Sequence, residues 1–314
     1  MTSWPSQPVT VVAPATSANL GPGFDALGLA LSLHDIVRAE LAESGLDVRV
    51  TGVGASERWR PERHLVIRAM RVGFAATGGQ PSGIAISCRN EVPQGFGLGS
   101  SAAAIVAGLL AARALAAARE AAADPADVLP DAEVLRLACE IEGHPDNVAA
   151  CLAGGLTIVF DAAAGLGVVR LTPLSGLAPV LCVPSVPVAT KTAREVLPDQ
   201  VSHADAAANS ARAALLIAAL TSRPDLLLPG TEDFLHQRYR APAMPRTAGL
   251  VAALREAGIP AVVSGAGPAV LALTMDDGRA AEPSEVARIT AQADAPWRVL
   301  PLRVDAEGAR LVRS

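Results

Sequence analysis

The chain has 314 residues, enough for one large domain or two of ordinary size. Hydrophobic residues make up 51% of it and charged residues 18%, which provides a core and excludes a mainly disordered chain. The net charge is −5 and Lys191 is the only lysine. The basic surplus typical of nucleic-acid-binding proteins is therefore missing, as is the lysine of a Walker-type phosphate loop.

The ends and the cysteines indicate a cytoplasmic protein. Residues 1–8 are polar and lack the charged flank and apolar run of a signal peptide, and no stretch of about 18 apolar residues predicts a membrane span. The four cysteines form no CxxC pair and lie in apolar stretches, which favours buried free thiols: Cys88, Cys139, Cys151 and Cys182. We expect neither a disulfide nor a zinc site.

The first half of the chain predicts both strands and helices. Runs of β-branched and apolar residues predict strands at 9–13, 36–41, 46–50, 84–87 and 156–160. Apolar spacing predicts helices at 65–77, at 100–118 and from Asp131, as its cap, to about residue 142. Residues 121–130 carry two prolines and two acids and predict a loop.

The second half follows a segment rich in alanine, glycine and proline at residues 161–173, where we place the boundary between domains 1–165 and 166–314. Strands are predicted at residues 180–183, 261–263, 270–273 and 297–304, and helices at 204–220, 248–256 and 283–293. Helices and strands alternate without regular βαβ spacing, so the pattern favours an α+β fold.

The strongest motif is a glycine-rich turn that opens a helix, Pro93-Gln94-Gly95-Phe96-Gly97-Leu98-Gly99-Ser100-Ser101-Ala102-Ala103. Glycines at alternate positions allow the backbone to turn tightly and to approach a ligand closely. Backbone amides and the positive end of the helix would then point at one spot, which predicts an anion site. The hydroxyls of Ser100 and Ser101 could bond phosphate or ligate magnesium. The alternative is an ordinary glycine turn with a serine cap.

A second motif follows the first predicted strand, Pro14-Ala15-Thr16-Ser17-Ala18-Asn19-Leu20-Gly21-Pro22-Gly23-Phe24-Asp25. Its hydroxyls, amide and carboxylate converge near a sharp turn. The alternative is a plain surface turn, because Asn, Gly, Pro and Asp are the usual turn residues.

A third motif ends a predicted helix, Glu140-Ile141-Glu142-Gly143-His144-Pro145-Asp146-Asn147. Carboxylates at the C-terminal end of a helix oppose its dipole and call for a cation. Magnesium would serve, since it takes one or two protein carboxylates and completes its shell with phosphate and water. The alternative is a solvated helix end.

Together these motifs resemble the GHMP kinase superfamily. Residues 97–102 are similar to its phosphate loop, and residues 264–269 to its third motif. Four further stretches look like the members that phosphorylate homoserine: residues 14–25, 142–147, 190–195 and 236–245. The resemblance implies an α+β fold of two parts, N-terminal ribosomal-S5-domain-2-like and C-terminal ferredoxin-like, with the active site in the cleft between them.

The resemblance also implies an activity. ATP would phosphorylate the side-chain hydroxyl of L-homoserine, giving O-phospho-L-homoserine for threonine biosynthesis, with Mg²⁺ as the metal. The resemblance leaves open whether the protein forms a homodimer, and it implies neither a nucleic acid nor a membrane partner. The alternatives are a superfamily member acting on another small alcohol and a non-catalytic sensor of the same fold. Loss of Ser100, Glu142 or Asn147 would mark the sensor, and all three residues are present.

Roles carry over from the resemblance position by position. Residues 93–103 would wrap the phosphates of ATP, and Ser100 and Glu142 would hold Mg²⁺. Homoserine would be surrounded by Asn19, Asp25, His144, Thr190, Arg194 and Arg240. The chemistry agrees, because the carboxylate of Asp25 suits the substrate ammonium and guanidinium groups suit its carboxylate.

Catalysis is expected to involve Asn147, Asp146 and Ser100. Asn147 would orient the attacking hydroxyl, with positioning and charge neutralisation supplying most of the rate. Asp146 is the candidate if a general base operates. Two residues depart from the family pattern: Phe96, where a small or basic residue is commoner, and His64, where asparagine is usual.

Overall fold

The structure is a computed structural model that describes residue 4 and residues 7–56, 60–122, 124–163, 165–187, 190–278, 281–293 and 296–312; the side chains of residues 190–192 lie outside this description. In chain order the strands of the described residues are β1 (Val9–Ala18), β2 (Leu27–Ala42), β3 (Gly45–Gly52), β4 (Gly83–Asn90), β5 (Leu156–Ala162), β6 (Gly165–Leu171), β7 (Leu177–Pro184), β8 (Ala261–Val263), β9 (Val270–Met275), β10 (Trp297–Pro301) and β11 (Arg310–Val312).

The helices of the described residues are α1 (Leu65–Ala76), α2 (Ser100–Glu120), α3 (Pro125–Val128), α4 (Asp131–Glu142), α5 (Asp146–Ala153), α6 (Thr190–Glu195), α7 (His203–Thr221), α8 (Leu227–Gly230), α9 (Gln237–Arg240), α10 (Pro245–Glu256) and α11 (Pro283–Thr290). Three 3-10 turns accompany them, at Pro61–Arg63, Pro224–Leu226 and Ala241–Ala243.

The first sheet has the strand order β11-β1-β2-β4-β3, and β5 joins it by pairing with both β2 and β6. Strand β2 is long enough to serve two neighbours, since residues 27–29 pair with β5 and residues 36–42 pair with β4. Strands β3 and β4 are parallel, whereas β1 and β2 are antiparallel with a register shift at Pro14/Ala15. The register shift lies at the first two residues of the second motif, Pro14 and Ala15.

Helix α2 is the centre of the first core. By length and composition alone this helix could cross a membrane. However, 78% of its most apolar 18-residue stretch is buried inside the protein, as expected of a core helix. Small residues let it approach α1 closely: a Cβ on Gly108 would lie 2.6 Å from the carbonyl oxygen of Val66. This packing fixes where the start of α2 points.

The second sheet is antiparallel, with the strand order β10-β7-β9-β8. Some residues of this sheet, such as Val180, pack against helices α10 and α11, which contribute Leu250 and Val286. Other residues of this sheet, such as Leu181 and Leu271, share a core with Leu29 of the first sheet. This shared core holds the two sheets together.

The α+β architecture predicted from the sequence is confirmed. The loop prediction for residues 121–130 was incomplete: α3 forms there because Asp124 accepts a hydrogen bond from the Ala126 amide at 2.8 Å. Asp131 is the first residue of α4 and Pro130 takes the cap position. The described cysteines are free thiols, as predicted, and Cys139 is only partly buried.

The proposed boundary at residues 165/166 falls inside the first sheet. Strand β6 pairs with β5 as far as Leu171, and the second sheet begins with β7 at Leu177. The chain returns at its end, where β11 pairs with β1. The alanines and glycines near residue 165 favour a linker, but Ala162 of β5 pairs with Gly165 of β6 at the closed end of a β-hairpin.

Candidate active site

A cavity of about 390 Å³ lies where all three motifs meet. This volume is within the range of small-molecule sites. Most of the predicted site residues line it: Asn19, Pro93, Gln94, Gly95, Gly97, Leu98, Gly99, Ser100, Ser101, Glu142, His144, Asp146, Asn147, Arg194 and Arg240. Asp25 reaches it through an ion pair with Arg194, and the side chain of Thr190 lies outside the described residues.

The start of α2 faces this cavity without a side-chain cap. Gly99 occupies the cap position with a φ of 64° and provides no side-chain cap for the amides of the first turn. The first amides of a helix have no acceptor within the helix, and they carry the positive end of its dipole. Ser100 and Ser101 line the cavity at this point, so the first turn of α2 is suited to an anion.

The glycines of the turn are required by contacts within the protein. A Cβ on Gly97 would lie 2.1 Å from the carbonyl oxygen of Ser264, and a Cβ on Gly99 would lie 1.9 Å from Oγ1 of Thr16. Real Cβ atoms do not approach other atoms so closely. The glycines therefore let the turn fit tightly between the second motif and residues 264–269. This packing is a second reason for glycine at these positions, besides the close approach to a ligand inferred from the sequence.

Three residues of the turn and helix start do not line the cavity. Phe96 packs against the core that joins the two sheets, and Ala102 and Ala103 are wholly buried in the first core. The departure at Phe96 therefore serves packing. His64 precedes α1, is 6% exposed and lines the cavity, and burial lowers its pKa.

Glu142 turns towards the start of α2 and accepts a hydrogen bond from the hydroxyl of Ser101. Its side chain is only 9% exposed, whereas Glu140 pairs with Arg136 on the exposed side of α4. Ser100 and Glu142 line the same cavity. Among the described residues no group of three or more His, Cys, Asp or Glu side chains forms a metal cluster, so a cation here would need ligand oxygens as well.

A chain of hydrogen bonds organises the turn between α4 and α5. The hydroxyl of Thr16 donates to Oδ1 of Asn147 at 2.8 Å, and the Asn147 amide donates to Oδ1 of Asp146 at 2.7 Å. His144 lies 3.2 Å from the same carboxylate oxygen, and this hydrogen bond raises the pKa of its imidazole. Asn147 is thereby held rigidly at the wall of the cavity.

Asp25 and Arg194 form a two-point ion pair, with hydrogen bonds of 2.7 and 3.1 Å. The pairing raises the pKa of Arg194. Asn19 supports it, because its Oδ1 accepts from the Asp25 amide at 2.9 Å while its Nδ2 donates to the Gly265 carbonyl. The sequence assigned Asp25 and Arg194 to opposite charges of one substrate, and in this structure they neutralise each other.

Arg240 is 1% exposed yet lines the cavity. Its Nε donates to the Ala193 carbonyl at 2.9 Å, and Nη1 donates to the Gly265 carbonyl at 3.1 Å. Burial lowers the pKa of Arg240, and the like charge of Arg194 adds to this effect. Because Arg240 lines the cavity, its guanidinium could meet a ligand carboxylate there.

Sequence reasoning missed three residues that shape the site. Thr16 supports Asn147, and the Ser264 hydroxyl donates to the Gly97 carbonyl and lies 2.8 Å from the hydroxyl oxygen of Ser17. His236 contacts Arg240 through Nδ1. All three lie in stretches that resemble the family, but nothing in their spacing indicates contacts such as that of Thr16 with Asn147 across 131 residues or of Ser264 with Gly97 across 167.

Comparison with known proteins agrees with this geometry. The family model described as GHMP kinases N terminal domain matches residues 64–155, and the model GHMP kinases C terminal matches residues 208–297. Homoserine kinase of Streptomyces coelicolor is 52% identical over 304 residues, covering 97% of this chain and 94% of the relative. Homoserine kinase of Clavibacter michiganensis is 47% identical over 302 residues, covering 96% and 93%.

Solved structures show the same fold. The homoserine kinase of Cytophaga hutchinsonii superposes with a TM-score of 0.83 at 28% identity, covering 99% of both chains. The mevalonate kinase of L. major superposes with a TM-score of 0.72 at 16% identity over 98% of this chain and all of the other, and shares the fold alone. The two family models and the high identity over nearly the whole length establish that this chain belongs to the homoserine kinase family of the GHMP kinases.

Proposed function

We propose that the cavity transfers the γ-phosphoryl group of ATP to the side-chain hydroxyl of L-homoserine. The hydroxyl oxygen forms a new bond to the γ-phosphorus, the bond from that phosphorus to the β–γ bridging oxygen breaks, the hydroxyl proton passes to water, and ADP leaves. The single observation that carries the proposal is that one cavity is lined both by an uncapped helix start, suited to phosphate, and by two arginines, Arg194 and Arg240, suited to a carboxylate.

The phosphates of ATP are proposed to lie on the first turn of α2. The free amides there provide several donors, and the alternating glycines keep side chains out of the way. In phosphoryl transfer the protein contributes mainly by positioning the groups and stabilising charge. A preformed array of backbone donors, fixed by contacts to Ser264 and Thr16, meets that need.

The donors at this end also suit Mg²⁺, which prefers carboxylate, hydroxyl and phosphate oxygens. Ser100 and Glu142 are the proposed protein ligands, and the hydrogen bond from Ser101 holds the Glu142 carboxylate beside the helix start. When bound, the ion would neutralise charge on the phosphates. The small number of protein carboxylates fits an ion that completes its shell with nucleotide and water.

Homoserine is proposed to bind by replacing the Asp25–Arg194 ion pair with ion pairs between each of these residues and the substrate. Its carboxylate would take the guanidinium groups of Arg194 and Arg240, and its ammonium would take Asp25. The Asp25–Arg194 pair keeps both charges matched before the substrate arrives, since an unpaired charge in a partly buried site is costly. Asn19 holds Asp25 through its backbone, and His144 lies across the cavity from them.

Asn147 is proposed to orient the attacking hydroxyl. Asp146 is almost fully buried, and its Oδ1 already accepts from the Asn147 amide and from His144. That oxygen is therefore occupied in holding the turn, which favours a supporting role for Asp146 over that of a general base. Positioning and charge neutralisation would supply the rate.

A homodimer and a cytoplasmic location are proposed from the family resemblance. Light scattering coupled to size-exclusion chromatography tests the first. A mass of one chain, 31.9 kDa, would exclude the dimer.

The activity is tested by ADP release with homoserine, mevalonate, galactose and threonine as acceptors. Homoserine should be preferred, and phosphate should be found on its side-chain oxygen. Preference for mevalonate or galactose would mean that the protein has the activity of another GHMP kinase. No ADP release with any acceptor would favour a non-catalytic sensor. Homoserine amide is the sharper control: it should react poorly, because it lacks the carboxylate for Arg194 and Arg240. Equal rates for amide and acid would exclude the proposed clamp.

A further inference from the structure

We propose that His236 is a positioning residue for homoserine: its imidazole joins the loop that carries Asp25 to the guanidinium of Arg240. The inference rests on the proposed function, since it takes Arg240 as a partner of the substrate carboxylate. His236 is fully buried and does not line the cavity, so it acts only through the residues it holds.

The two ring nitrogens of His236 have opposite partners. Nε2 lies 2.8 Å from the carbonyl oxygen of Gly21, and Nδ1 lies 3.1 Å from Nη1 of Arg240. A carbonyl can only accept and a guanidinium can only donate. Nε2 must therefore carry the proton and Nδ1 must be the acceptor, which defines one neutral tautomer.

The loop at one end of this bridge needs external support. Asn19, Leu20 and Asp25 have φ of 67°, 50° and 55°, a region that non-glycine residues rarely adopt. Gly21 is held so closely that a Cβ there would lie 2.7 Å from the Thr231 carbonyl oxygen. The hydrogen bond from His236 fixes the carbonyl of this same residue, and thereby the turn leading to Asp25.

At the other end, the bridge fixes the plane of the Arg240 guanidinium. Two backbone carbonyls, of Ala193 and Gly265, accept from Nε and Nη1, and Nδ1 of His236 is the side-chain acceptor. The ring of Phe24 covers both groups, with its centroid 5.2 Å from that of His236 and 5.7 Å from Cζ of Arg240. The guanidinium is thus held in one orientation towards the cavity.

Electrostatics favour the neutral ring. Protonation would remove the acceptor and place a second cation 3.1 Å from the guanidinium. The charged groups around His236 are Arg240, Asp25 and Asp233, whose Oδ1 lies 3.6 Å from Nε2. Burial lowers the pKa of His236 despite these carboxylates, so the tautomer that forms the bridge persists at neutral pH.

Two substitutions separate the two contacts. In H236N the amide oxygen can occupy the place of Nδ1 and accept from Arg240, but nothing reaches Gly21. In H236Q the longer side chain can place its NH₂ near Nε2 and donate to Gly21, but the acceptor for Arg240 is lost. Each variant loses one buried hydrogen bond, so each is a stability control for the other.

Steady-state kinetics then distinguish positioning from a structural role. We expect both variants to raise KM for homoserine, because each opens the bridge at one end: H236Q at least tenfold, since it frees the guanidinium proposed to bind the carboxylate, and H236N by less, with KM for ATP within twofold in both. An unchanged KM for homoserine in H236Q, or equal losses for both substrates, would overturn the proposal. In an R240L background H236Q should add nothing further; an additional rise in KM would show that His236 acts by another route.

A measurement on the unaltered protein covers the case in which a variant does not fold. Nitrogen-15 NMR of the histidine rings at pH 7 should show His236 as the neutral form protonated at Nε2. A ring protonated at Nδ1, or at both nitrogens, would overturn the bridge. Activity of the same sample on homoserine tests the proposed function separately, because an inactive protein could still show the predicted tautomer.

Discussion

The two ends of the cavity are built in opposite ways. At the end proposed for phosphate, the cavity is lined by one short stretch of chain, Gly95 and residues 97–101. At the end proposed for homoserine, side chains from four distant segments meet: Asn19 and Asp25; His144, Asp146 and Asn147; Arg194; and Arg240. The first end depends on the absence of side chains, and the second depends on side chains that hold one another.

This difference determines how each end tolerates change. A backbone site is lost when the turn cannot form, and a new Cβ is enough to prevent that. A side-chain site loses one contact at a time, and the remaining groups can re-pair, as Asp25 and Arg194 already do. We therefore expect larger and less specific effects at the phosphate end.

The largest effect is expected from Gly97→Ala, with Gly95→Ala as its control. Both glycines have nearly equal positive φ, 76° and 78°, so the conformational cost of alanine, about 1–2 kcal/mol, is shared. Only at Gly97 would the Cβ meet backbone, 2.1 Å from the Ser264 oxygen; at Gly95 it meets the Pro187 side chain at 3.1 Å. Gly97→Ala should weaken ATP binding by about 100-fold or more and lower the melting temperature.

Calorimetric titration with ATP and a thermal melt check this pair of variants. Similar ATP affinities for the two would mean that close packing against residue 264 does not define the phosphate end.

A smaller effect is expected from Glu142→Gln, of roughly 10–100-fold in turnover. The substitution removes the carboxylate proposed for Mg²⁺ while an amide can still accept from Ser101. Raising the Mg²⁺ concentration should restore part of the rate. Glu140→Gln is the matched control, because that carboxylate pairs with Arg136 on the surface. Equal losses for both variants in the ADP-release assay would reject the assignment of Glu142.

Arg240→Leu should act on one substrate only. Leaving a desolvated ligand charge without its partner costs about 2–5 kcal/mol, and about 1.4 kcal/mol is already tenfold in affinity. KM for homoserine should therefore rise at least tenfold, while KM for ATP stays within about twofold. Arg238→Leu, two residues away on α9, removes an exposed pair with Asp205 and a contact with Tyr239 and should change neither KM. A rise in KM for ATP equal to that for homoserine would place Arg240 outside the substrate site.

The same contrast explains what the sequence could predict. The glycine turn was identifiable because its function depends on local spacing, and residues 93–101 contain all of it. The residues around homoserine were identifiable only one by one. Their mutual contacts, such as Asp25 with Arg194 across 169 residues, depend on how the two sheets pack.

The fold followed the same rule. Helix α2 was predicted to within about two residues because its apolar content is continuous. The first half of β2 was missed, since its pairing with β5 depends on residues 156–158 far along the chain. Strand β11 was missed because its three residues are largely exposed and include an arginine, whereas the equally short β8 is a buried run of apolar residues.

The smallest effect tests the rigidity of the homoserine end through pH. The hydrogen bond to Asp146 raises the pKa of His144 in the folded protein above its ordinary value of 6.5. A raised folded pKa gives stability that is fully present below the unfolded pKa and is lost as pH rises through the folded value. His144→Gln should thus lower the free energy of unfolding more at pH 5.5 than at pH 9, by roughly 1 kcal/mol.

Urea denaturation of both proteins at the two pH values measures this difference. His64 and His236 titrate in the opposite sense, because burial lowers the pKa of each, but they are common to both proteins and cancel in the comparison. A pH-independent effect of His144→Gln would mean that the imidazole does not bind a proton more tightly in the folded state, and that Asp146 holds Asn147 without it.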